Sequence, residues 1–148
     1  MEVRLERVDW ETFCRKMRLR YLILFGSRVS GRPDALSDWD FAARFGRRPS
    51  LLERGRLAAE IAELIGDERV DIVVLDDYRL PPPLLYEVYW RGKPLCIIDR
   101  ELYLWDKVRA LSLYHDYRIA LHPLAVRMVW KLAKRGAVKE GEEVQEGY

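Results

Sequence analysis

Short apolar runs, separated by turn residues, alternate along this chain with amphipathic segments, which is typical of an α/β domain. The apolar runs predict four strands, at 21–25, 38–45, 69–75 and 94–98. Apolar residues spaced three and four apart predict helices at 9–20, 50–65, 82–90, 99–121 and 124–135. A short helix or turn is expected at 27–31. The predicted fold class is α/β in the broad sense and, more narrowly, α+β: a mixed sheet with helices packed against it.

Capping residues set the expected ends of these helices. Asp9 is expected to cap the first, and Ser50 with Glu53 forms a capping-box pattern before the second. Gly66 is a suitable left-handed end for that helix. His122-Pro123 is expected to break the long C-terminal helix, because the residue before a proline disfavours helical geometry.

A chain of 148 residues is of single-domain length, so we expect one domain over 1–136. Its core would be 9–98, followed by C-terminal helices over 99–135 and a flexible, charged tail over 137–148. The net charge of +2 gives no electrostatic case for nucleic acid, and no apolar run is long enough for a membrane span. Cys14 and Cys96 lack metal-type spacing and are predicted to be reduced core residues. The expected location is cytoplasmic.

The stretch from Gly26 to Asp40 carries the candidate chemistry. Gly26 closes the first strand with a tight turn, and Ser27 then opens a short helix whose free N–H groups can meet an anion. If 38–45 is a strand, its period of two puts Asp38 and Asp40 on one face and Trp39 on the other. Two carboxylates so close together repel each other, and a divalent metal would relieve that repulsion.

Asp71 is the charged residue within the apolar run 70–75. A carboxylate in such a strand needs a partner or a metal, so Asp71 is a third candidate ligand. The alternative is that it begins the strand and pairs with Arg69. Asp76 and Asp77 follow the strand and are predicted to be turn residues.

This pattern resembles the signature of the DNA polymerase β-like nucleotidyltransferase superfamily, and most closely its minimal nucleotidyltransferases (MNT), which are often paired with HEPN-domain toxins. The family pattern is roughly G-S-x-A-R-G-x(6)-D-x-D-hydrophobic, with a third Asp on a later strand. The chain departs from it at Ser30 and Trp39, and neither departure removes a metal ligand. The retained positions are Gly26, Ser27, Arg28, Gly31, Ser37, Asp38 and Asp40.

The resemblance implies a two-layer nucleotidyltransferase palm, with helices on one sheet face, C-terminal helices added, and the other face open. It implies transfer of AMP from ATP to a hydroxyl acceptor, namely a tyrosine of a HEPN partner toxin, so that the chain would be the antitoxin. Asp38, Asp40 and Asp71 would be catalytic and would hold two Mg²⁺ ions. The nucleotide and its phosphates would bind Gly26, Ser27 and Arg28, with Arg32 as a weaker candidate.

Two other functions remain open at this point. The chain could be a non-catalytic antitoxin that blocks its partner by covering a surface, or it could transfer nucleotides to a small molecule. Oligomeric state is also open. Aromatic residues of the C-terminal helices could either close the core or form an exposed interface; they are Trp105, Tyr114, Tyr117 and Trp130.

Overall fold

The computed structural model describes residues 5–30 and 37–139 and contains a four-stranded mixed sheet. The strands are β1 (Tyr21–Phe25), β2 (Trp39–Arg44), β3 (Val70–Val74) and β4 (Lys93–Ile97). Their order is β3-β2-β1-β4. β1 is antiparallel to β2 and β4, whereas β2 and β3 are parallel. The predicted fold class and mixed sheet are confirmed.

Helices join and cover these strands. They are α1 (Trp10–Lys16), α2 (Ser27–Ser30), α3 (Leu51–Ile65), α4 (Pro82–Tyr86) and α5 (Arg100–Lys139). A 3₁₀ turn at Leu5–Arg7 precedes α1, and a π-helical turn at Glu87–Arg91 continues α4. Pro81 is the N-cap of α4, and Pro82 and Pro83 are its first two residues. Prolines suit this first turn because N–H groups there have no intrahelical acceptor.

The predicted caps are present. The Asp9 side chain accepts from Thr12 N at the start of α1. Ser50 and Glu53 form the reciprocal capping box at the start of α3, and Gly66 ends that helix with a left-handed φ of 71°. These short-range hydrogen bonds satisfy backbone groups that have no partner inside the helix.

Helix α1 ends at Lys16, four residues before its predicted end at Arg20. Arg18 adopts a left-handed φ of 57°, and Leu19 N donates to Cys14 O at 2.9 Å. This closing turn directs the chain into β1 and buries Leu19.

One sheet face packs on α1 and α3 as the period-two pattern predicted. Four alternate positions of β2 and its C-terminal extension point into this layer: Trp39, Phe41, Ala43 and Phe45. The helices contribute the apolar residues Trp10, Phe13, Leu57, Ile61 and Ile65. This core holds β2 in a single register, because a slip of one residue would turn the apolar set outward.

The second sheet face is covered in part, whereas an open face had been expected. Tyr21, Ile23 and Ala42 pack there against a layer of α4, the π-turn and α5. The covering side chains include Leu85, Val88, Tyr89, Tyr103 and Ala110. The C-terminal helices therefore form a second helical layer.

Asp76 lies in a turn after β3, as predicted, and it is also buried, with 4% of its surface exposed. Its carboxylate accepts from Phe45 N and Gly46 N, both at 2.9 Å, and forms an ion pair with Arg44 Nη1 at 2.6 Å. The carboxylate thereby fixes the turn after β2 and neutralises the half-buried arginine.

Arg44 also connects the sheet to α5. Its Nε donates to Asp106 Oδ2 at 3.0 Å, and the same oxygen accepts from Tyr21 OH at 2.6 Å. Tyr21 OH in turn lies 2.6 Å from Tyr89 OH. Burial, the first cause, and the neighbouring hydroxyl and carboxylate raise the pKa of Tyr21 far above its ordinary range, so the phenol stays protonated and can donate.

α5 is continuous from Arg100 to Lys139, so the predicted break at His122-Pro123 and the predicted helix end at Gly136 are wrong. A proline inside a helix removes one hydrogen bond and crowds the carbonyl four residues earlier. Here that carbonyl belongs to Ile119, which is exposed, so water can satisfy it. Of the predicted tail, residues 137–139 are helical and 140–148 lie outside the described residues.

The two cysteines are buried as predicted, but the structure joins them in a disulfide rather than leaving them reduced. Cys14 lies on α1 and Cys96 on β4, with their Cα atoms 6.7 Å apart. They are 82 residues apart in sequence and meet because α1 packs over the β4 edge of the sheet. Within the described ranges, none of the helices has the length and apolar character of a membrane span.

The Asp76 contacts give a direct stability test. We expect Asp76→Ala to lower the free energy of unfolding by about 3–5 kcal/mol, because it leaves two backbone N–H groups without their buried acceptor and leaves Arg44 paired with Asp106 alone. Urea unfolding measures this loss. The adjacent Asp77 binds only at the surface, with Arg79, so Asp77→Ala is the control and should cost less than about 1 kcal/mol. Equal losses in the two variants would contradict the structural role of Asp76.

Candidate active site at the Gly26–Ser27 bend

The bend after β1 brings a glycine backbone against a carboxylate. Gly26 has φ +83°, a conformation that residues with a Cβ rarely adopt, and Ser27 begins α2 in an exposed position. A Cβ on Gly26 would overlap Asp40 Oδ2. The predicted bend and the predicted carboxylate are therefore in direct contact.

Strand pairing brings the candidate carboxylates to one edge of the sheet. Phe25, the last residue of β1, pairs with Asp40 on β2, and Asp40 pairs with Asp71 on β3. Asp38 precedes β2 by one residue and is exposed, as is Asp71. The β2–β3 register matches Asp40 with Asp71. The sheet thus brings together two carboxylates that lie 31 positions apart in sequence.

Asp40 is the carboxylate on which burial and the neighbouring charges act. Its pKa is raised, first by burial and then by the charges of Asp71 and Asp38. An added cation would lower that pKa by stabilising the ionised form. Asp38 and Asp71 thus both act electrostatically on Asp40.

The alternative partner for Asp71, Arg69, is engaged elsewhere. Arg69 Nε and Nη2 contact the Asp67 carboxylate at 3.2 and 3.1 Å. Asp67 also accepts from the Trp39 indole at 3.2 Å, which orders the start of β2. The Asp71 carboxylate instead acts electrostatically on Asp40.

Arg28, predicted to bind phosphate, contacts the start of β2. Its Nη2 donates to Ser37 O at 2.8 Å, and its guanidinium carbon lies 4.4 Å from the centroid of the Trp39 ring. Its Nε is buried and lacks a hydrogen-bond partner among the described residues. Sequence reasoning missed this stacking, although Trp39 had been noted as a departure from the family pattern. Gly31 and Arg32 lie outside the described residues.

The carboxylates suit Mg²⁺ chemically without forming a closed cage. In the part of the chain that the structure describes, no three His, Cys, Asp or Glu side chains make a preformed metal cluster. Mg²⁺ usually binds proteins through one or two carboxylates and completes its shell with water and substrate phosphates. The oxygen donors and the repulsion at Asp40 fit an ion held in that way.

Replacing Gly26 should cost more than backbone strain alone. Backbone strain should cost both Gly26→Ala and Gly66→Ala about 1 kcal/mol of stability, because both glycines have positive φ. Gly66 has nothing within 4 Å of the added Cβ, whereas at Gly26 it would displace Asp40. Denaturant unfolding should therefore show the larger loss for Gly26→Ala. Losses that match within error would rule out the contact with Asp40.

Asp40 should also make stability depend on pH. Its pKa is raised on folding, so the ionised carboxylate costs stability above that pKa, and the cost disappears below its ordinary value of 3.8. We expect Asp40→Asn to melt above the wild type at pH 7 and to lose this advantage as the pH falls towards 3. Asp9 has a lowered pKa through its hydrogen bonds to Thr12, so Asp9→Asn should melt below the wild type at pH 7. Thermal melts of both variants between pH 3 and pH 7 test this dependence. A melting temperature of Asp40→Asn below that of the wild type at pH 7 would contradict it.

Solved structures with the same fold are toxin–antitoxin complexes. A mutant MntA–HpeT toxin–antitoxin superposes with a TM-score of 0.65 at 21% identity, covering 80% of this chain and 94% of that one. A toxin–antitoxin with AMP-PNP gives 0.64 at 22% identity, with the same coverage. The tri-AMPylated HEPN toxin of Shewanella oneidensis in complex with MNT antitoxin gives 0.58 at 22%, covering 78% and 88%. At these identities the similarity establishes the fold.

No curated protein sequence matches this chain significantly. The family profile described as polymerase beta, nucleotidyltransferase matches residues 10–101, which include the bend and all three carboxylates. That match spans more than half of the chain, from the first residue of α1 to the first turn of α5. The chain therefore belongs to the polymerase beta nucleotidyltransferase family.

Proposed function

We propose that this protein is an Mg²⁺-dependent nucleotidyltransferase that moves AMP from ATP to a tyrosine hydroxyl of a HEPN-domain partner, and so acts as an antitoxin. The observation that carries the proposal is the coupling of Asp40 to Asp71, Asp38 and the Gly26 backbone at one sheet edge. The similar solved structures include a toxin–antitoxin with AMP-PNP and an AMPylated HEPN toxin in complex with its MNT antitoxin, which supports the choice of nucleotide and acceptor.

The glycine–serine bend would bind the triphosphate. Gly26 brings the backbone close to Asp40 without a side chain between them, and Ser27 presents an exposed hydroxyl at the start of α2. Backbone N–H groups and a hydroxyl are suited to phosphate oxygens. Arg28, the residue after Ser27, stacks on Trp39, so its charge would remain beside the departing pyrophosphate.

Asp38, Asp40 and Asp71 would hold two Mg²⁺ ions. Such ions supply charge neutralisation at the phosphates and lower the pKa of the attacking hydroxyl. The binding of cations would also offset the repulsion that raises the Asp40 pKa. Nucleotide and metal binding would therefore stabilise the folded protein.

The transfer step needs a base on the acceptor side. The tyrosine oxygen would attack the α-phosphorus of ATP, the bond to the bridging oxygen would break, and pyrophosphate would leave. Asp71 is exposed and would accept the tyrosine proton. Most of the remaining catalysis would come from positioning and charge, which is why a small site suffices.

Two other functions are separable from this one. A binding-only antitoxin would gain nothing from a carboxylate whose pKa is raised by burial and by two like charges, and that unfavourable arrangement favours catalysis. Transfer to a small molecule would need an acceptor pocket beside the carboxylates.

Labelled ATP tests the proposal directly. Incubation of the protein with α-³²P-ATP, Mg²⁺ and its co-encoded HEPN protein should transfer label to a tyrosine of that protein, and EDTA should abolish the transfer. We expect Asp38→Asn and Asp71→Asn each to reduce the rate at least about 100-fold, because each removes a charge used in the transition state. Labelled peptides identify the acceptor residue.

The matched control is Glu63→Gln, the same carboxylate-to-amide change at an exposed position on α3. It should transfer label at the wild-type rate. Transfer that persists in Asp38→Asn and Asp71→Asn would overturn the assignment of these residues. Partner inhibition without any label on the partner would instead support the binding-only function.

A further inference from the structure

Helix α5 divides into a packed half and an exposed half. In the first half, Tyr103 and Ala110 are buried, and the Tyr114 ring stacks on Tyr86 at 4.3 Å. The Trp90 indole also donates to Lys107 O at 2.9 Å. These contacts join the first half to α4 and the π-turn.

The second half leaves the body of the protein. From Arg118 to Gly136, here called the distal helix, every residue except Lys134 is exposed. At 1.5 Å per residue the distal helix extends roughly 28 Å. Its apolar side chains are exposed, among them those of Ile119, Val126 and Met128.

Those apolar side chains are arranged in stripes. Leu121, Met128 and Leu132 have the spacing of one helix face and are 38%, 64% and 64% exposed. A second stripe, on nearly the opposite side of the helix, carries Ile119 and Val126, which are 59% and 43% exposed. Together the apolar positions occupy roughly two thirds of the circumference.

The remaining face is basic. Arg127, Lys131 and Lys134 follow one another at helical spacing. No acidic residue occurs between Asp116 and Glu140, whereas this stretch contains six basic residues: Arg118, Arg127, Lys131, Lys134, Arg135 and Lys139. The distal helix is therefore cationic as well as apolar, while the whole chain has a net charge of only +2.

We propose that the distal helix docks between helices of the acceptor protein, in an apolar groove with an acidic rim. This inference rests on the proposed function, because it takes the occupant to be the HEPN-domain partner. Apolar residues on one helix commonly bind such a groove, and acidic residues at its rim would pair with the basic face.

The shape of the apolar surface favours this occupant. A flat lipid surface buries only one side of a helix. It would therefore leave in water part of an apolar surface that covers roughly two thirds of the helix circumference. A second copy would also cover one side of the distal helix, and it would bring a second set of six positive charges nearby. A groove between helices covers two sides and can supply the opposite charge.

Isothermal titration with the purified co-encoded HEPN protein tests the docking. We expect Met128→Glu/Leu132→Glu to weaken binding about 30-fold or more, because both side chains would lie at the centre of the contact. The matched control is Leu104→Glu/Val108→Glu, the same change at two exposed apolar residues of the packed half, which should bind within about threefold of the wild type. Circular dichroism confirms that each variant is folded.

Charge and competing occupants are tested separately. Arg127→Gln/Lys131→Gln should bind more weakly at low salt and should show a smaller salt dependence. Unchanged affinity in both distal-helix variants overturns the proposal. So does evidence that these variants lose only self-association, measured by light scattering, or only binding to phosphatidylserine vesicles.

Asp38→Asn separates this inference from the proposed function. It should bind the HEPN protein as the wild type does while transferring no label. If the wild type binds through the distal helix but neither it nor any variant transfers label, the catalytic proposal is wrong and the docking proposal is supported. Efficient transfer by Met128→Glu/Leu132→Glu at low partner concentration would overturn the docking surface alone.

Discussion

The close approach of the Asp40 carboxylate to the Gly26 backbone is the constraint on which the rest of the site depends. It requires an antiparallel β1–β2 pair in one register, because Asp40 pairs with the last residue of β1. It also requires a residue without a Cβ at the bend. The parallel β2–β3 pair then adds Asp71 beside Asp40. Each carboxylate added here raises the electrostatic cost of the folded state, so the sheet must be held together elsewhere.

That support lies at the other end of β2. Arg44 faces the same side of the sheet as Asp40, four residues away, and binds both Asp76 and Asp106. Opposite charges are thus paired at one end of the strand, while like charges accumulate at the other. The apolar residues between them bury both faces of β2, so an unfavourable group at the site does not disturb the register. Strain at functional residues persists when the surrounding structure fixes them in this way.

Features that depend on neighbours in sequence were predictable. The capping box at Ser50, the glycine bends and the alternation along β2 all follow from spacing of a few residues. Contacts between distant residues were not. Arg44 meets Asp106 across 62 positions, and the two cysteines meet across 82. The continuation of α5 through Pro123 was missed for a different reason: a local rule against proline holds less strictly where water can reach the freed carbonyl. Within the site, the carboxylates were predicted, but the stacking of Arg28 on Trp39 was not.

The family match ends where α5 begins. Residues 10–101 carry the bend, the carboxylates and the sheet, whereas most of α5 lies beyond this match. On the proposed function the acceptor is a protein, and a part of the chain outside the site could position it. An exposed, cationic and apolar helix attached rigidly to the sheet through Asp106 could do so without altering the carboxylates. On the proposals made above, the core supplies the chemistry and the helix selects the protein on which it acts. Because the two parts are joined by a buried ion-pair network, a partner docked on the distal helix would be oriented relative to Asp71 rather than merely tethered near it.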